Sequence, residues 1–258
     1  MRMHQLRSAT FVLEAAGRRV LVDPMLGAKG TVLPPLAFIR HKPQRNPTID
    51  LPANAERALI DLDAALVTHC RRRHDDHLDK QAHGLLRRRD LPVYCHSADV
   101  GFLRRHGLRT EPMKPHEPRD FFGGTITAFH AVHGYGWLAK LMGPGVGYLI
   151  ELPGEPSLYL SGDTVLTAEV RSVLVDRRPD VSVMHAGSAS TDVGRPILMS
   201  MDELLEFVRL AAPGRVVANH LEALNHCPTT RAQLSAELER AGLLDRVLIP
   251  DDGETIEL

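Results

Sequence analysis

Between Thr68 and Asp79 the chain reads Thr-His-Cys-Arg-Arg-Arg-His-Asp-Asp-His-Leu-Asp, so three histidines and three aspartates fall within twelve residues. Imidazole nitrogens and carboxylate oxygens together are the ligand set of zinc and related divalent ions. His74 and His77 flank Asp76, and one tight turn can aim all three into the same small volume. A solvated, histidine-rich loop is the plainer alternative, because short motifs arise without function. The cluster follows the apolar run Ala64–Val67, which reads as a buried strand, so the polar groups stand where a strand ends.

Other candidate groups share that placement. His69, His133, Asp163, His185 and His220 each come just after an apolar strand-like run. If those strands share a sheet edge, their C-terminal ends bring the groups together.

The elements that must do this positioning follow from pattern. Residues 3–22 hold short alternating segments broken at Gly17, which read as antiparallel strands ending at Asp23-Pro24. Residues 27–52 carry prolines at 34, 35, 43, 47 and 52 and read as a long surface loop of the kind that forms lids. Helices are expected near 54–59, over 78–89, from a Ser97 cap to Gly107, and over 167–177. Ser200 with Glu203, and Thr230 with Gln233, are capping boxes that open two more. Strands are expected at 92–96, 126–132, 147–152, 158–160, 181–184, 216–218 and 247–249. Strands, then helices, then both again predict an α/β (α+β) fold of two mixed sheets between helical layers. No repeat, linker or low-complexity block divides residues 1–258, so one domain is expected.

Composition narrows the function. A formal net charge of −1 gives no pull toward nucleic acid or membrane, and no apolar run reaches spanning length. Three cysteines cannot form a disulfide framework, and the N-terminus lacks a signal-peptide core, so a cytoplasmic protein is expected. No Gly-x-Ser-x-Gly elbow supports an acyl-serine route, and no phosphate-binding Gly-x-x-x-x-Gly-Lys loop appears. Homo-oligomerisation is left open.

Taken jointly, Asp23-Pro24, Thr68-His69, His74-Asp75-Asp76-His77, His133-Gly134, Ser161-Gly162-Asp163-Thr164 and Asn219-His220 through Asn225-His226-Cys227 resemble the metallo-β-lactamase-fold hydrolases. The similarity is nearest to the branch around L-ascorbate-6-phosphate lactonase and covers almost the whole chain. It implies a four-layer αββα sandwich with a two-metal site at one sheet edge. By the resemblance, His69, His74 and His133 hold the first metal, Asp76, His77 and His220 the second, and Asp163 bridges. It also makes Asp76 and Asp163 the catalytic carboxylates, with two divalent ions, zinc first and manganese or iron as alternatives. Asp23, Asn225 and His226 are expected to orient ligand rings, and His185 to support the ligands or face substrate.

One departure stands out. The family motif His-x-His-x-Asp-His puts its first histidine at position 72, where this chain has Arg72. Either His69 takes that role and Arg71–Arg73 bulge out as an insertion, which is favoured, or the first ligand is missing. Side-chain direction has period two in an extended segment, so a five-residue separation forces the loop to turn before His74. The resemblance implies hydroxide attack on a small ester, lactone or phosphoester. Arginines beside the site, Arg72 among them, raise the expectation of an anionic small-molecule substrate. The rival reading is a non-catalytic or single-metal relative that binds or senses. A nuclease is disfavoured, for want of spare length and basic excess.

Overall fold

The computed structural model describes residues 1–33, 39–71 and 74–258. Strands β1 (Arg2–Arg7), β2 (Thr10–Ala15) and β3 (Arg18–Val22) pair antiparallel. Ala16 and Gly17, at φ of 48° and 70°, make the two-residue turn whose twist matches a hairpin. The next strands, β4 (Ala64–Val67), β5 (Val93–His96) and β6 (Thr110–Met113), add in parallel. Parallel strands need crossovers, supplied by α1 (Ala55–Ala58), α2 (Lys80–Arg88) and α3 (Val100–Arg105).

The second sheet repeats this division. β7 (Pro118–Phe121), β8 (Gly124–Val132), β9 (Pro144–Glu151) and β10 (Leu158–Leu160) are antiparallel neighbours. β11 (Val181–His185), β12 (Arg215–Asn219) and β13 (Val247–Leu248) continue in parallel. Their crossovers contain α5 (Ala168–Ser172), α6 (Met201–Leu210) and α7 (Arg231–Arg240), while α4 (Trp137–Met142) joins β8 to β9. β14 (Thr255–Glu257) returns to pair with β1, giving two seven-stranded sheets.

Three apolar clusters account for the layering. Phe11, Leu13 and Leu66 of the first sheet meet Ile126, Tyr148 and Val183 of the second. Ala82, Leu86 and Leu103 cover the outer face of the first sheet, and Val170, Phe207 and Leu234 that of the second. The result is the expected αββα sandwich, a metallo-β-lactamase fold.

Local differences from expectation have local causes. The helix after β5 begins with a 3₁₀ turn at Ser97–Asp99, capped by the His96 ring accepting the Ala98 N–H rather than by Ser97. The helix at 167–177 keeps its Thr167 cap, but Val173–Arg177 winds as a π turn ending at left-handed Arg178. β6, β7 and β14 are short edge-side strands with prolines or exposed residues, and α4 is an unexpected helix. Both capping boxes are present.

Direction now matters more than content. β8 and β10 each run antiparallel to β9, so both point the same way as β11 and β12. Four C-terminal ends of the second sheet therefore share one edge. β3 and β4 end together in the first sheet, and Thr68 is joined across by the Val146 N–H to its carbonyl at 3.0 Å.

Candidate metal centre

Each of these strand ends delivers one polar side chain. β3 leads to Asp23, β4 to Thr68-His69, β8 to His133 and β10 to Asp163; β11 ends on His185 and β12 leads to His220. The turn after β10 depends on Gly162. Its φ is +63°, and a Cβ there would lie 2.8 Å from the Val146 carbonyl oxygen and 3.2 Å from Thr68. This tight approach lets Asp163 enter from one sheet among histidines from both.

Two groups of donors form around Asp163. His69, His74 and His133 are one; Asp76, His77, His220 and Asp163 are the other, with the donor atoms of each group within 4.8 Å of one another. Asp163 Oδ2 lies 3.2 Å from His77 Nε2, 3.3 Å from His133 Nε2 and 3.8 Å from His69 Nε2, so it faces both groups. Within the second group, His77 Nε2 and His220 Nε2 are 3.4 Å apart, and Asp76 Oδ2 is 3.5 and 3.8 Å from them. Ligands on one tetrahedral ion with bonds of about 2.0 Å stand about 3.3 Å apart.

The outward nitrogens explain why the inward ones converge. His133 Nδ1–H donates to the Ile197 carbonyl at 2.8 Å, and His74 Nδ1–H to the Arg71 carbonyl. Thr68 Oγ1 donates to Asp23 Oδ2 at 2.8 Å and accepts from His69 Nδ1 at 3.0 Å. Asp23 Oδ2 also lies 3.0 Å from His77 Nδ1, so one buried carboxylate steadies two rings. His220 Nδ1 is 3.7 Å from Cys227 Sγ. Protons held on Nδ1 leave Nε2 lone pairs directed inward.

Those lone pairs fit a metal and little else. His69 Nε2 and His74 Nε2 are buried without a hydrogen-bond partner, which a packed core histidine rarely tolerates. Burial, together with His77 and His74, pushes His69 well below its ordinary value, and burial pushes His133 down to about 4. Neutral imidazole is the ligating form. Burial acts to raise the Asp163 carboxyl, but His77, His220, His133 and the His185 hydrogen bond outweigh it and hold it well below the usual range. Burial acts to lower His77, but Asp163, Asp76 and Asp23 carry it well above. Asp163, Asp76 and Asp23 thus gather negative charge around the His77 ring.

The remaining expected residues divide. His185 Nδ1 sits 2.6 Å from Asp163 Oδ1. Asn225 binds the 46 loop, accepting from Asn46 Nδ2 at 3.0 Å and donating its own N–H to Asn46 Oδ1. His226 lies 3.4 Å from Asn225 and lines a cavity. Arg72 and Arg73, with the substrate role expected of the former, lie outside the described residues. Arg71 turns to Asp99, its Nε 2.5 Å from Oδ1.

Motif reading missed Thr68 as the relay to His69, the Ile197 carbonyl and the Cys227 contact. It also missed the wall that α4 builds, although Trp137, Leu138, Leu141 and Met142 are spaced as one helical face. That face, with Met25, Ile197 and Leu224, encloses a cavity of about 440 Å³ that opens on His74, Asp76 and His133.

Comparison with known proteins agrees with the architecture. A β-lactamase superfamily domain matches residues 18–221. The UPF0173 protein YddR of Bacillus subtilis is 30% identical over 257 residues, spanning 99% of each chain. A UPF0173 metal-dependent hydrolase of Azorhizobium caulinodans is 25% identical over 267 residues, spanning 100% of each. The isothiocyanate hydrolase from Delia radicum gut bacteria superposes with a TM-score of 0.89 at 31% identity, covering 100% of this chain and 99% of that one. A domain match over most of the chain, and relatives alike from end to end, show that this chain belongs to the β-lactamase superfamily, among its metal-dependent hydrolases.

Proposed function

We propose that the chain hydrolyses a small, uncharged, apolar molecule at an electrophilic carbon, with isothiocyanates as the leading class and neutral esters or lactones next. The observation that carries this reading is the cavity: apolar walls lead to the histidine and carboxylate cluster, and no lysine or arginine among the described residues lines it. His226, on the same cavity, is pushed down to about 4 by burial and adds no charge. A phosphoester suits such walls worst. The solved structure named an isothiocyanate hydrolase, 31% identical over the full length, supports the choice of electrophile. Hydrolysis there balances as R–N=C=S plus water giving R–NH₂ and COS, with the apolar R group taken by the walls.

His69, His74 and His133 would hold one divalent ion and Asp76, His77 and His220 a second, with Asp163 between them; zinc suits the donor set best. Bound there, the ions supply a nucleophilic hydroxide at neutral pH and stabilise developing negative charge. Asp163 sets the spacing of the two groups, and His185 fixes its rotamer. Asp76 is partly exposed on the cavity floor; despite burial, His77 and His74 hold its carboxyl below the ordinary range. It therefore stays ionised and orients the attacking water by accepting a hydrogen bond. Met25, Leu138 and Ile197 exclude bulk water from the reacting carbon. The three cysteines are buried free thiols, which supports a cytoplasmic setting.

The test compares amine release from 2-phenylethyl isothiocyanate with hydrolysis of 4-nitrophenyl acetate, a neutral γ-lactone and 4-nitrophenyl phosphate. Turnover of the first, abolished by a chelator and in His77→Ala, is expected. A preference for the phosphate, or turnover indifferent to chelation, overturns the reading.

A further inference from the structure

Away from the centre just described, His116, His130 and Glu169 bring three ligand atoms within 4.8 Å of one another. Each comes from a different element: His116 from the turn between β6 and β7, His130 from β8, and Glu169 from the first turn of α5. We infer that they form a separate surface site for a late divalent transition ion, zinc, nickel or copper.

The geometry suits one shared ion. His116 Nε2 lies 3.3 Å from Glu169 Oε1, close to the ligand–ligand edge of about 3.3 Å that bonds near 2.0 Å require. The His116 and His130 rings are 5.5 Å apart at 64°, so both can turn a nitrogen to the same point. Apart from the Glu169 pairing, neither ring has a hydrogen-bond partner among the described residues. The His130 ring can therefore ligate without losing an existing bond, and an ion would take the place of the His116–Glu169 contact.

The supporting groups are fixed from behind. Glu169 Oε1 accepts the His130 backbone N–H at 2.8 Å, which pins the carboxylate over β8. Thr167 caps α5 and so fixes where Glu169 begins. The His116 N–H donates to the Ala128 carbonyl at 2.8 Å, and His116 is held at φ +66°, a conformation unusual outside glycine. An exposed His–Glu pair alone does little for stability. A second imidazole beside it makes a two-nitrogen, one-oxygen donor set of the kind that selects late first-row ions. All three side chains reach solvent, so water completes the shell and binding is weaker than at the buried centre.

The inference does not depend on the proposed hydrolysis, and its test keeps the two apart. Untagged protein with its buried centre already saturated with zinc is titrated calorimetrically with Ni²⁺. One further equivalent is expected. In His116→Ala/His130→Ala that equivalent disappears, and in Glu169→Gln it weakens at least tenfold, while hydrolytic turnover and the buried zinc content stay unchanged. Cu²⁺ bound at the same place should show two-nitrogen superhyperfine splitting, lost in the double variant. No further equivalent in the parent protein, or one that survives the double substitution, overturns the inference. Both rings are largely exposed, so the double variant should fold; an unchanged circular dichroism melt is its check.

Discussion

Replacing Asp99 by asparagine tests how the first donor group is held beside Arg71. Asp99 is buried at 1% exposure, and its Oδ1 takes the Arg71 Nε at 2.5 Å. The Arg71 carbonyl in turn accepts from His74 Nδ1–H, and His74 Nε2 then meets His69 and His133. Arg71 is therefore anchored by its side chain, and the His74 ring hangs from its carbonyl. A hydrogen bond to a charged group contributes about 1.5–3 kcal/mol, and the Arg71 side chain is 40% exposed, so the low end of about 1.5 applies. About 1.4 kcal/mol is a factor of ten in an equilibrium constant. If the lost order falls on His74, affinity at the first group drops about tenfold, within the 10–100-fold range for groups that orient ligands.

The assay is zinc content after dialysis against buffers of stepped free zinc. Asp99→Asn should lose one ion per chain at a free zinc about tenfold higher than the parent does, while the second ion is lost where it was. Arg71→Ala should do at least as much, and the double variant should be no worse than Arg71→Ala alone, because both changes act on one contact. Equal weakening of both ions, or additive effects of the two substitutions, refutes this chain of support.

Other consequences are as direct. Asp23→Ala removes the partner of Thr68 and His77 from a fully buried position, so both groups should lose about 10–100-fold in zinc affinity, read by the same dialysis. Gly162→Ala meets both a positive φ and the Val146 carbonyl, and should lower stability by more than about 1 kcal/mol in a urea melt. Trp137→Ala takes an aromatic from the cavity mouth; KM for 2-phenylethyl isothiocyanate should rise several-fold with kcat unchanged, since about 0.5–1.5 kcal/mol of aromatic contact is lost. Glu14 is held below its ordinary value by the His4 hydrogen bond and then by Arg2 and Arg19. Its small contribution is therefore present above the unfolded carboxylate value of 4.5 and lost as pH falls through the lower folded value; Glu14→Gln should flatten that limb of the melting curve.

Much of the fold could be read because apolar runs and caps are local signals. Ser200 with Glu203 and Thr230 with Gln233 opened helices where their side-chain chemistry said they should. The convergence of His133, Asp163 and His220 was readable too, since strand direction carries each to one edge. β6 and β7 were not. Thr-Glu-Pro-Met and Pro-Arg-Asp-Phe have neither alternation nor β-branched runs, and they are strands because neighbouring strands supply partners. α4 was hidden by its length: six residues between Gly136 and Gly143 hold one apolar face, too short a run for its period to stand out.

The supporting groups of the centre belong to a third kind, since they depend on backbone angles that no residue type announces. Asp23 and His220 sit at φ of 41° and 60°, where side chains other than glycine are strained. At Asp23 that turn lets one carboxylate meet the Thr68 N–H, the Thr68 hydroxyl and the His77 ring together. At His220 it turns Nε2 toward His77 while the N–H is taken by the Ser8 carbonyl at 3.0 Å, a bond from the first hairpin to the end of β12. Glycine at either place would relieve the backbone and remove the Asp23 acceptor or the His220 ring. The strain is thus tolerated because the same residue must both bend the chain and carry the side chain, which is also why a motif read along the sequence finds the residue and not its geometry.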